Sequence, residues 1–241
     1  VGIGRIVTID RDRIEASNLV RSVLFREADI GRPKAEVAAE VLQSLNPEGV
    51  VLPVVGDVSI DLPLGLVRRS TVVIGCLDSV QARVALNRLC LRAGVPYLDG
   101  GLSAEACQVS RYGDGEAGAC YACGMSEAMR RRFEASRSCA GLLRNASGRP
   151  VPTTAVTASV GGGMLVGQVL ELCFPEGRPM APGSRLTMHL RPPVLVDDIL
   201  PSRADCPEHG RWPDFAPAPR PEDATAAALL AAGDDGLDLG M

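Results

Sequence analysis

The sequence predicts an α/β domain built on a doubly wound, mostly parallel sheet. Three observations carry that expectation. Short β-branched or apolar runs recur at residues 5–10, 50–55 and 71–76. Helical patterns alternate with them, and 241 residues are enough for one large core.

Residues 5–10 (RIVTID) form the first strand, which ends on a carboxylate. Ligands in open α/β sheets sit outside the carboxyl ends of strands, so Asp10 is a candidate for holding ribose hydroxyls. Ser17-Asn18-Leu19 is a capping-type turn, and Arg21 follows three residues after Asn18. Lys34 opens a helix that runs to about Leu45 before Asn46-Pro47 stops it. Arg21 and Lys34 are placed to reach one polyphosphate. Of 25 Lys and Arg residues, Lys34 is the sole lysine. A compact ammonium on a flexible stem does what a planar guanidinium cannot; a surface lysine left by chance is the alternative.

Residues 50–55 make the second strand, 62–67 a weaker helical segment, and 71–76 (TVVIGC) a wholly apolar strand expected at the centre of the sheet. That strand delivers Cys76-Leu77-Asp78-Ser79 to a helix reaching about Arg92, which carries Arg83 and Asn87. At a strand end and helix start, Asp78 can hold Mg²⁺ beside a polyphosphate or, with Ser79, cap the helix. Residues 95–98 and 106–111 are further strands, with Asp99-Gly100-Gly101 read as a tight turn between them and Asp114-Gly115-Glu116 as another. Residues 155–174 read as a buried helix started by Thr153 or Thr154, and 186–190 as a last strand, on which His189 is given no chemistry.

A net charge of −4 argues against nucleic acid as a main partner. Arg130, Arg131 and Arg132 read as a solvated helix face. The apolar stretch 155–174 is interrupted by glycines and polar residues and makes a poor membrane span. Eight cysteines with one close pair do not suggest a secreted disulfide framework, so the expected compartment is the reducing cytoplasm. That pair, Cys120-Tyr-Ala-Cys123, is half of a tetrahedral zinc site, and Cys206-Pro-Glu-His209 repeats its spacing. Together they make a structural Cys₃His set with no position open for chemistry; Cys206 as an incidental thiol is the alternative. Cys76, Cys90, Cys107 and Cys173 are expected to be inert core thiols. Two histidines disfavour a Ser-His-Asp hydrolase. Gly2-x-Gly4 lacks a third glycine and precedes a strand, which weakens a nicotinamide oxidoreductase reading. Residues 211–241, rich in Pro and Ala and then acidic, read as a linker or disordered tail.

Four patterns now stand together: D-x-D-x-I-E-x-S-N-L-x-R from Asp10, D-I-G-x-P-K-A from Asp29, L-N-P at Leu45-Asn46-Pro47, and C-x-D-S-x-x-x-R-x-x-x-N from Cys76. Over about residues 1–210 they resemble the ThiF/MoeB/ubiquitin-activating superfamily of adenylating enzymes, with Ser79 where that family has Asn. The resemblance implies a Rossmann-like adenylation domain (1–210) with a zinc knuckle and a crossover loop, followed by the tail (211–241). In such proteins a glycine-rich strand-loop-helix precedes the first strand here, and this chain is expected to lack it. The implied activity is ATP- and Mg-dependent adenylation of the C-terminal glycine of a ubiquitin-like protein. Asp10, Asp12, Asn18, Arg21 and Lys34 would serve the nucleotide, Asp78 the Mg²⁺, and Cys120, Cys123, Cys206 and His209 the zinc. Cys139 would be a nucleophile forming a thioester for a conjugating enzyme, its thiolate favoured by Arg137 and Arg144. Alternatives are activation of a sulfur-carrier protein, with a sulfur donor as partner, and a non-catalytic subunit that binds a ubiquitin-like protein. A homodimer or heterodimer is also implied.

Overall fold

A computed structural model describes residues 3–113, 118–136, 153–174 and 176–209. The turn expected at 114–116, Cys139 with its arginine neighbours, and the tail at 211–241 lie outside these residues.

The first half is a pair of parallel strands, β1 (Arg5–Ile9) and β2 (Val50–Val54), matched from Arg5↔Val50 to Ile9↔Val54. Between them in sequence run the short helix α1 (Ala16–Leu19), a 3₁₀ turn (Glu27–Asp29) and α2 (Lys34–Leu45), which begins and ends where the periodicity places it. Helix α2 buries Ala35, Val37 and Ala39. Thr8 on β1 donates its hydroxyl hydrogen to the Ala35 carbonyl at 3.1 Å, and the Gln43 amide ties the far end of α2 to Gly49 and Val51. The helix is therefore fixed against the strands at both ends.

After α3 (Leu64–Arg68), the second half orders β3 (Val73–Gly75), β4 (Tyr97–Leu102), β5 (Ala106–Tyr112), β6 (Ser184–Leu190) and β7 (Pro193–Ile199) in one sheet. The α/β class follows expectation, and both strand pairs beneath the candidate site, β1–β2 and β3–β4, are parallel. From β4 onward the pairing is antiparallel. Helix α4 (Val80–Ala93) carries Ser79 as its N-cap, whose Oγ accepts from the Ala82 amide at 3.1 Å. Helix α5 (Glu127–Ser136) follows the cysteine knuckle; on it Arg131 pairs with exposed Glu127, and Arg130 donates to the Met125 carbonyl. Helix α6 (Ala155–Cys173) is capped reciprocally by Thr154 and Thr157.

Alternation along β4 explains the two cores, because successive residues of a strand face opposite sides. Tyr97 joins Val67, Leu86, Cys90, Val95 and Tyr112 on one side. Leu98 joins Val109, Leu165 and Val169 under α6 on the other, where Ile3 and Val72 also pack.

Four sequence expectations are corrected, and one strand is added. Asp99-Gly100-Gly101 is not a turn: it lies inside β4, with Asp99 fully buried, and the chain turns instead at Ser103, whose Oγ accepts from the Ala106 amide at 3.0 Å. A Cβ at position 100 would meet Leu165 Cδ1 of α6 at 2.8 Å, so a larger residue there would push that side chain aside. β3 is shorter than its apolar run and ends its sheet among the described residues, rather than lying at the centre. Helix α6 is long and apolar enough to cross a membrane, but it is buried on one face only, through Thr157, Gly161, Leu165 and Val169. Cys76 and Cys173 are exposed, whereas Cys90 and Cys107 are buried as expected. β7, which begins at Pro193 itself, has no counterpart in the sequence reading.

Two predictions follow from this packing. Leu98→Ala removes a fully buried side chain and should lower stability by about 2–5 kcal/mol at unchanged urea m-value. The second concerns Asp99. Burial pushes its carboxyl up to about 6, against the pull of Arg83 and the Tyr97 hydrogen bond. A raised carboxyl binds more protons in the folded state than in the unfolded one. Its contribution is therefore fully present below the ordinary value of 3.8 and is lost as pH rises through about 6. Burial also raises Asp10, with the same sign. Asp99→Asn should flatten, without abolishing, the fall in urea midpoint across that window.

Candidate active site

The site is assembled by a strap of hydrogen bonds that brings the loop after β1 onto the entry of α2. The Ile14 amide donates to the Arg32 carbonyl at 2.9 Å, the Gly31 amide to the Ile14 carbonyl at 2.8 Å, and the Lys34 amide to the Asp12 carbonyl at 3.0 Å. Ile14 is buried and anchors the strap; Gly31 sits at φ 91°, a conformation that glycine adopts without strain. In consequence Lys34 Nζ lies 2.9 Å from Asp12 Oδ2 across 22 residues of sequence.

The strap shapes a cavity of about 480 Å³ lined by Asp12, Arg13, Glu15, Ser17, Asn18, Arg21 and Lys34. Four of the residues singled out in the sequence, Asp12, Asn18, Arg21 and Lys34, thus line one cavity. Asn18 is buried, and its Oδ1 caps the Glu15 amide at 3.0 Å. Arg21 donates to the Ser17 carbonyl at 2.8 Å from an exposed position. Arg13, Glu15 and Ser17 were missed as lining, although they lie in the same polar stretch; Arg13 donates to the Gly31 carbonyl at 2.7 Å and so braces the strap.

Asp10 stands just below, its Oδ1 accepting the Asp12 amide at 2.8 Å. Burial raises its carboxyl. The Asp12 amide and Lys34 oppose the rise, while Asp12 and Asp78 add to it. Asp78, exposed at the end of β3, therefore lies within electrostatic reach of Asp10. Three carboxylates and the Lys34 ammonium gather at the carboxyl ends of β1 and β3. Lys34 also occupies the first turn of α2, where the helix dipole disfavours a cation and an anion is welcome.

A second cluster joins Cys120, Cys123, Cys206 and His209, whose ligand atoms all lie within 4.8 Å of one another. Cys120 Sγ is 3.7 Å from Cys123 Sγ and 3.6 Å from Cys206 Sγ, and Cys123 Sγ is 3.1 Å from His209 Nε2. A tetrahedral zinc about 2.3 Å from each sulfur would hold them about 3.8 Å apart, so the donor set fits zinc. Burial pushes the Cys123 thiol up. The Arg203 amide, donating to its sulfur at 3.4 Å, and neighbouring Cys120 and Cys206 bring it below the ordinary value. Arg88 clamps the second half of the knuckle through Glu208, at 2.5 and 2.6 Å.

A model of the ThiF family matches residues 1–195. This chain belongs to the ThiF family. It is 33% identical over 122 residues to the molybdopterin-synthase adenylyltransferase of Salmonella typhimurium, covering 51% of this chain and 49% of the relative. It is 36% identical over 129 residues to the SAMP-activating enzyme E1 of Haloferax volcanii, covering 53% and 47%. Among solved structures, Escherichia coli MccB superposes with a TM-score of 0.68 at 25% identity, over 87% of this chain and 60% of that one. The chain thus spans about half the length of the curated ThiF relatives it matches.

Protein purified under reducing conditions should carry about one zinc per chain by plasma mass spectrometry. Cys206→Ser should lose it and melt at lower temperature, and Cys76→Ser should keep it.

Proposed function

We propose that residues 1–210 form an adenylation domain, with 211–241 as a tail, which activates the C-terminal glycine carboxylate of a ubiquitin-like protein with ATP and Mg²⁺. The observation that carries this reading is the convergence of Asp12, Asn18, Arg21 and Lys34 on one cavity, with Asp10 and Asp78 beside it.

In the proposed reaction, a carboxylate oxygen of the terminal glycine attacks the α-phosphorus of ATP. The bond from that phosphorus to the bridging oxygen breaks, and pyrophosphate leaves. A carboxylate is already ionised at neutral pH, so no general base is needed, and positioning with charge stabilisation supplies the catalysis. Asp10 holds the ribose hydroxyls. Lys34 exchanges its partner Asp12 for phosphate oxygens at the N-terminus of α2, and Arg21, lining the same cavity, neutralises further charge. Asp78 is the residue to hold Mg²⁺, whose charge offsets that on the phosphates. The excess of carboxylate over ammonium at the strand ends supports a cation at this place. Zinc at Cys120, Cys123, Cys206 and His209 is structural.

Cys139 follows as acceptor of the acyl group: its thiolate displaces AMP from the adenylate and leaves a thioester for a conjugating enzyme. A second reading is favoured by the relatives' names, which include a sulfur carrier protein adenylyltransferase from Thermus thermophilus. In that reading the adenylate of a sulfur-carrier protein passes to a sulfur donor, and Cys139 relays sulfur or is idle. Either reading goes with a reducing cytoplasm, where the thiols stay free, and with a dimer.

Pyrophosphate–ATP exchange with glycine-terminated ubiquitin-fold proteins tests the proposal. Lys34→Ala and Asp78→Ala should each lower exchange about 10²–10³-fold; exchange that survives both overturns the site assignment. Cys139→Ala should retain exchange but lose a thiol-sensitive adduct on a non-reducing gel. Exchange without any adduct in the wild type favours the sulfur carrier.

A further inference from the structure

Arg83 lies on the first turn of α4 and directs its guanidinium to the segment after β3 and to the middle of β4. Its Nε and Nη2 donate to the Leu77 carbonyl at 3.0 and 2.6 Å, Nη2 also to the Gly100 carbonyl at 3.1 Å, and Nη1 to Asp99 Oδ2 at 2.9 Å. Asp99 is fully buried, and its other oxygen accepts the Tyr97 hydroxyl hydrogen at 2.8 Å. Burying such a pair is costly, and an apolar pair of similar volume would stabilise the fold as well or better. What the pair adds is geometry. The Leu77 carbonyl belongs to the peptide that leads into Asp78, so fixing its oxygen fixes the plane from which the Asp78 side chain departs. The Gly100 contact references that plane to β4.

Helix α4 is itself braced. The Tyr121 amide, inside the cysteine knuckle, donates to Asn87 Oδ1 at 3.1 Å, and the Tyr121 hydroxyl interacts with Arg83. All three tyrosines of the chain stand in one row here: Tyr97 and Tyr112 stack at 5.6 Å, and Tyr112 and Tyr121 meet edge-on at 5.5 Å.

We propose that Arg83, oriented by Asp99, is the positioning residue that aims Asp78 at the nucleotide-bound Mg²⁺. This rests on the function proposed above. Lysine cannot substitute, because a point charge lacks the planar fork that reaches two carbonyls and a carboxylate at once.

Arg83→Lys and Asp99→Asn test it in the full chain by two readouts. In hydrogen–deuterium exchange, amides 77–79 and 100–101 should speed up together by about tenfold or more, while α2 and far-UV circular dichroism are unchanged. In titrations of ATP binding, the Mg²⁺ concentration at half-saturation should rise about tenfold or more, with Mg-free ATP binding unaltered. Exchange that rises throughout the chain, or a Mg²⁺ midpoint that matches wild type in a protein that merely melts earlier, overturns the role of Arg83. A wild-type chain that shows no Mg-dependent ATP binding overturns the site reading itself, and with it this role. The exchange data then report separately whether the clamp exists.

Discussion

The strap between residues 12–14 and 31–34 is the constraint on which the first half of this structure depends. Without its three backbone hydrogen bonds, Lys34 would open α2 at an arbitrary distance from the end of β1. With them, an ammonium, two carboxylates and a buried asparagine are held around one cavity. Backbone bonds are well suited to this work. They hold the strap closed through main-chain atoms, with Arg13 adding one side-chain brace at Gly31 and Asn18 capping its own turn.

The second half reaches the same place by different means. Here a single helix, α4, collects three fastenings within two turns: Arg83 to the Leu77 carbonyl and to β4, Asn87 to the Cys120–Cys123 turn, and Arg88 to Glu208 in the other half of the knuckle. Val84 and Leu91 pack among the knuckle cysteines. Loss of metal would therefore be felt along the axis of α4 and not only at its ligands, since packed interiors transmit strain.

The legible parts of the sequence were those written in local code. Helix α2 declares itself by its apolar period and an Asn-Pro stop, α4 by its serine cap, and the Cys₃His cluster by two matched spacings. The cavity residues were legible because they crowd into one polar stretch between a strand and a helix. What escaped was written in contacts between distant segments. Asp99-Gly100-Gly101 has the composition of a turn, yet Arg83 gives its carboxylate a buried partner and Leu165 needs the space beside Gly100, so tertiary packing overrides the local signal. Glu208 carries no local signal of its role, because nothing nearby in sequence says that Arg88, 120 residues away, will meet it. Cys76 looked like core because its neighbours are apolar, but it stands where β3 opens to solvent.

Lys34 sits where a helix least wants a cation. Asp12, 2.9 Å from Lys34 Nζ, offsets that charge only from a half-exposed position, so the entry of α2 stays short of negative charge. An anion arriving there would supply it, so occupancy would make α2 and the strap firmer than the new contacts alone imply. The lifetime of the chain against proteolysis would then follow the supply of its ligand.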